Sequence, residues 1–84
     1  MLVKQIETIL KAMLDNQDIV YWYAKDFQNG KYFVGYEASP RMSELAQKYP
    51  NIIISERDGR FRTLRINWKN KKEIKKIKKE KGWK

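Results

Sequence analysis

Four arginines fall within nine residues: Arg57, Arg60, Arg62 and Arg65, with Asp58 the only acid among them. A guanidinium is a planar fork of donors that keeps its charge at any physiological pH. It can meet a phosphate, or the edge of a guanine, with two bonds at once. The chain's remaining arginine, Arg41, lies upstream between Ser39 and Ser43, with Lys48 farther along. Residues 69–84 hold nine lysines and two glutamates, a net of +7. Residues 1–68 hold ten basic and eight acidic residues, a net of +2. Most of the total of +9 is therefore C-terminal, and the arginines are the charge of the body. Clusters of this kind mark a polyanion-facing surface better than the total does.

Other chemistry is poorly supplied. The chain has no cysteine and no histidine. That removes disulfides, thiolate or imidazole metal sites, and Ser-His or Cys-His catalysis. The aspartates Asp15, Asp18, Asp26 and Asp58 show no metal-type spacing. No enzymatic activity, metal or cofactor is expected. No apolar run approaches the ~20 residues of a membrane span, and the N-terminus lacks a signal-peptide pattern. A cytoplasmic protein without a membrane partner is the expectation. At 84 residues, one small domain with a thin core is the limit.

The elements that must hold these cations follow from periodicity. Leu2, Val3, Ile6, Ile9, Leu10, Met13 and Leu14 share one helical face, giving a first helix of about four turns that ends near Asp15–Asp18. Ile19–Tyr23 is β-branched and aromatic, a short strand by composition. Tyr23–Gln28 reads as a short second helix stopped by Asn29 and Gly30, with Trp22, Ala24 and Phe27 inward. A third helix opens at Ser39 and Pro40, a hydroxyl cap followed by proline, or a turn earlier near Tyr36. It buries Met42, Leu45, Ala46 and Tyr49 and leaves Arg41, Ser43, Glu44, Gln47 and Lys48 outside. Asp58-Gly59 then predicts a hairpin turn with positive φ at both residues. That turn pairs Arg57 with Arg60, Ser55 with Arg62 and Ile53 with Leu64. Leu64, Ile66 and Trp68 point inward; Thr63, Arg65 and Asn67 point outward. Residues 69–84, with only Ile74 and Ile77 as an apolar stripe, read as a mobile or nascent helical arm. The domain is thus 1–68 and the lysine-rich tail 69–84.

This order, with segments Trp22–Phe27, Gly35–Leu45 and Arg57–Phe61, resembles the winged helix-turn-helix domain, and most of all the small winged-helix proteins of phages, archaeal viruses and mobile elements. The resemblance covers about residues 2–68 and rests on element order. The link between the second and third helices is longer than in a simple helix-turn-helix. The resemblance implies an α+β fold of three helices and a C-terminal two-stranded wing, with a short third strand admissible and a basic tail or helix appended. It further implies a double-stranded DNA-binding protein, a viral or mobile-element transcriptional regulator, working in the host cytoplasm if viral. The third helix would lie in the major groove. Arg41 would be the main base reader, with Ser39, Ser43, Glu37 and Glu44 as weaker candidates and Lys48 on the backbone. Arg57, Arg60 and Arg62 would meet phosphates or the minor groove. The tail lysines, Lys71, Lys72 and Lys75 among them, would add binding that is independent of sequence. A homodimer through the first helix or the tail is compatible.

Blander readings compete. Arg41 can be a helix-surface residue paired with Glu44 or Glu37. Wing arginines can guard an edge strand against aggregation. The tail can serve solubility. Tyr21, Trp22, Tyr23, Tyr32 and Phe33 are more usually core than a stacking platform. A different class altogether is a protein-interaction module that uses the same surface to bind or block host machinery.

Overall fold

A computed structural model describes residues 2–28, 30–33 and 38–83. It is a small α+β arrangement of four helices and one two-stranded antiparallel sheet. The alternative helix start at Tyr36, and Glu37, lie outside the described residues, as do the side chains of Leu2 and Val3.

Helix α1 spans Leu2–Asp15. Its Ile6, Ile9, Leu10, Met13 and Leu14 are all buried, as the i, i+3, i+4 spacing requires. Asn16 closes the helix by donating from its side-chain amide to the Ala12 carbonyl at 2.8 Å. Helix α2, Ala24–Gln28, is a single turn held at its start. The Asp26 carboxylate accepts from the Tyr23 backbone N–H at 2.7 Å, one half of a capping box. Phe27 goes into the core, where its ring stacks on Trp22 with centroids 5.1 Å apart. Tyr32, in the 3-10 turn Gly30–Tyr32, meets Trp22 edge-on.

The expected strand over 19–23 shrinks to one residue. Trp22 exchanges two backbone hydrogen bonds with Leu64, at 2.9 and 3.0 Å, and the pairing stops there. The reason is local. Tyr23 already gives its N–H to Asp26 and takes the Asp26 N–H on its carbonyl, so the helix start consumes the groups a longer strand would need. Upstream, Ile19 is turned back onto the Asn16 carbonyl.

Helix α3, Ala38–Lys48, begins one residue before the expected hydroxyl cap. Ser39 and Pro40 therefore sit in its first turn, where a missing proline N–H costs nothing. Its buried stripe is Ala38, Arg41, Met42 and Leu45, with Ala46 and Tyr49 partly covered.

Strands β1 (Ile53–Asp58) and β2 (Phe61–Ile66) form the hairpin. The register corrects the expected one. Ile53 faces Ile66, Ser55 faces Leu64, Arg57 faces Arg62 and Asp58 faces Phe61. The two-residue loop is Gly59-Arg60, not Asp58-Gly59. Gly59 has φ of 63° and no described non-glycine residue has positive φ, so Arg60 stays on the ordinary side. A single positive φ at the first loop residue is the type II′ pattern, which also matches the strand twist. The turn moves by one residue and the pairing by two, so the inward parity survives: Leu64 and Ile66 are buried with Ile53, and Trp68 is partly buried against the core. Thr63, expected outward, is buried too. The segment brought alongside β2 at Trp22 lines one cleft with Thr63 through Tyr21 and Tyr23.

Of the two readings of the tail, a mobile arm or a nascent helix, the structure has the helix. Lys71–Lys81 form helix α4, with Ile74 and Ile77 buried. Gly82, φ 71°, ends it; the Gly82 N–H meets the Lys79 carbonyl and the Trp83 N–H meets the Lys78 carbonyl at 2.7 Å. This is a Schellman ending, and its Trp83 folds back against the core. Lys81 bonds to Glu7 of α1, while Lys71, Ile74 and Lys75 border a cleft with Gln17. Helix α4 therefore runs back along α1. Among the described residues no helix is long and apolar enough to cross a membrane.

Candidate nucleic-acid interface

The hairpin's end projects cations. Arg57, Arg60 and Arg62 are all exposed. Arg57 and Arg62 are direct cross-strand partners, a like-charge pairing that weakens a sheet unless an anion sits nearby. Arg65, lower on β2, is neutralised: its Nε donates to Glu56 at 2.5 Å, and that bond raises its pKa above the usual guanidinium value.

One bond ties this end to α3. The Arg62 guanidinium donates to the Ser43 hydroxyl at 2.5 Å. Beside it lies an open groove of about 480 Å³, walled by Tyr23, Lys25, Ser39, Arg60, Phe61 and Arg62, with Ala24 and Met42 among its apolar lining. The groove thus joins the starts of α2 and α3 to the hairpin's end. Asp58, the acid at the tip, is occupied: it accepts from the Tyr23 hydroxyl at 2.7 Å, and that bond raises the tyrosine's pKa.

The expected site residues divide into three groups. Ser39, Ser43, Arg60 and Arg62 come together around the groove, with exposed Arg57 adjacent. Lys48 is exposed at the far end of α3, its ammonium 5.6 Å from the Tyr49 ring. Lys71, Lys72 and Lys75 are exposed on α4 and do not line the groove.

Arg41 needs a correction. Its charge argues for the outer face, yet it is only 8% exposed. One of its guanidinium nitrogens, Nη1, donates to both carboxylate oxygens of Glu44, at 2.8 and 2.9 Å. The cause is spacing: position 41 is three after Ala38 and four before Leu45, inside the buried stripe. The pairing with Glu44 is one of the sequence's alternatives; the burial is not.

Sequence reasoning missed Lys25 and Phe61, and it weighed Tyr23 only as core or as a stacking aromatic. A signal for Phe61 existed. Alternation along β2 puts 61 on the same parity as 63 and 65, so an apolar ring was due to face away from the core. No protein-family model matches this chain, and neither a curated protein nor a solved structure matches it.

Proposed function

We propose that this protein is a winged-helix-like binder of double-stranded DNA, with α3 and the hairpin wing as its reading end. The observation that carries the reading is the groove. Arg60 and Arg62 of the wing and Ser39 of α3 line it together, and Arg62 is bonded across to Ser43. A helix start beside the Arg60 and Arg62 guanidinium groups and the Lys25 ammonium suits a phosphate backbone, with the exposed face of α3 turned to the bases. Arg41 then acts first by fixing the shape of α3 through Glu44; direct base reading by it would need the buried guanidinium released from Glu44. Helix α4 contributes Lys71, Lys72 and Lys75 as a second, sequence-independent basic face. A role as a transcriptional regulator of a virus or mobile element is the biological setting this reading fits.

A second reading rests on one observation. Val20 and Tyr21 are adjacent, apolar and both more than half exposed, which suits a protein partner better than a polyanion.

The test is binding of the full chain to a mixed-sequence duplex over a salt series, with single strands and RNA alongside. The Arg57/Arg60/Arg62 triple alanine variant should bind more weakly, and its log K versus log salt slope should fall by about 0.9 for each phosphate that is no longer neutralised. A variant with Lys71, Lys72 and Lys75 changed to glutamine should lose affinity equally for all sequences. A triple arginine variant that binds duplex as the parent does would refute the groove as the site.

A further inference from the structure

Phe61 is the most exposed large apolar side chain among the described residues, at 67%. A single exposed apolar residue is ordinary, but this one is not placed at random. It begins β2, directly after the Gly59-Arg60 loop, between two exposed arginines. Its ring leans edge-on against Tyr23, centroids 6.5 Å apart. Tyr23 is in turn held by its hydroxyl bond to Asp58, the residue paired with Phe61 across the hairpin. The ring is thus braced from one side and open on the other. Arg60 and Arg62 flank Phe61 in the chain and line the same groove, together with Asp58, whose carboxylate the Tyr23 hydroxyl engages. An exposed, braced ring with Arg60 and Arg62 beside it can meet a stack of bases between two phosphate chains.

We infer that Phe61 is a wedge that enters between base pairs in the minor groove and bends the duplex away from the wing. The inference rests on the DNA-binding reading above and deepens it. Apolar wedges at basic loops partly unstack one base step and kink the helix. Arg60 and Arg62 flank the ring and would take the phosphates on either side of the narrowed or opened groove. The Tyr23 brace keeps the ring from folding onto the protein, so no ordering has to be added on binding. The wedge gives sequence preference without reading a base edge, through steps that unstack easily, such as TA and CA.

The experiment uses the full chain and a short duplex carrying 2-aminopurine at successive central steps, with a donor and acceptor dye at its two ends. Binding of the parent should raise the 2-aminopurine fluorescence and shorten the end-to-end distance. Phe61→Ala should still bind, about tenfold more weakly, with fluorescence and end-to-end distance close to those of free duplex. Phe61→Leu, which keeps an apolar wedge, should retain part of both signals. Since the ring is exposed, Phe61→Ala should melt as the parent does, which separates the effect from misfolding. Bending by Phe61→Ala equal to the parent's would overturn the wedge while leaving DNA binding intact. So would parent binding with no unstacking signal. Failure of the parent to bind duplex at all would overturn both readings together.

Discussion

Arg41 and Glu44 show what one helical position decides. The Arg41 side chain is 10% exposed and that of Glu44 45%. The guanidinium has therefore left water while its partner remains half in it. Removing the partner strands a nearly buried charge; replacing the charge itself by an apolar chain of similar length does not. Glu44→Ala should cost about 1–3 kcal/mol, and Arg41→Met should cost less than Glu44→Ala. Urea midpoints of the two variants check the order. An unchanged midpoint for Glu44→Ala would mean that Arg41 is solvated after all. The exposure of Arg57, Arg60 and Arg62 was legible from their charge and their place at the hairpin's end, although Arg57 and Arg62 share the strand parity of the inward Ile53, Leu64 and Ile66. The burial of Arg41 is harder to read, although the spacing of Ala38, Met42 and Leu45 contains it. Residue type points one way there and position the other, and position wins. The bonds Arg62–Ser43 and Tyr23–Asp58, 19 and 35 residues apart in the chain, depend on how elements meet and leave no local mark.

At the scale of elements, the three α-helices and two paired strands described within 1–68 stood in the sequence, and the misjudged parts were joints, the 3-10 turn Gly30–Tyr32 among them. Periodicity names a face but says little about where hydrogen-bond partners run out. That limit shortened the 19–23 strand at Trp22 and moved the hairpin turn by one residue. Gly59 now carries the turn alone. A Cβ built there meets nothing within 4 Å, so any cost of Gly59→Ala is purely backbone strain at φ of 63°. That strain is about 1–2 kcal/mol. The Arg57–Arg62 pair already disfavours closure, so the loss should appear first as fraying of the tip. Amide protection at Arg60 to Arg62 should fall more than at Leu64. A synthetic chain with D-alanine at position 59, which prefers positive φ, should recover the parent's stability. Equal stability of the L- and D-alanine chains would contradict the type II′ assignment.

For the whole molecule, the question is why a helix with seven lysines between 71 and 81 folds at all. Its like charges repel, and its only buried residues are Ile74 and Ile77. Magnitudes identify what holds it. Burying two isoleucines is worth about 1.5–3 kcal/mol each at most. The Glu7–Lys81 pair, with side chains 32% and 26% exposed, is worth about 1 kcal/mol or less once water screens it. The isoleucines dominate and the ion pair adjusts. The sequence leaves the tail between a mobile and a nascent helical arm because Glu7 lies 74 residues away from Lys81, beyond any local pattern. The pair nevertheless gives α4 a pH dependence. The bond to Lys81 lowers the Glu7 pKa, so that part of the docking is complete above the ordinary carboxylate value of about 4.3 and is lost as pH falls through the lowered one. The bond to Glu7 raises the Lys81 pKa, so its share is complete below about 10.4 and is lost as pH rises through the raised one. Docking should therefore be flat across neutral pH and loosen at both extremes. The opening of α4, read from amide exchange at Ile74 and Ile77 after correction for the intrinsic pH dependence of exchange, should increase at most about fivefold below pH 4. Glu7→Gln should show the same increase already at neutral pH and little further change on acidification. Ile77→Ala should release the helix outright. If Glu7→Gln released α4 as completely as Ile77→Ala, the ordering of the two contributions would be reversed. The lysines would then be held by charge pairing, and raised salt alone should free them.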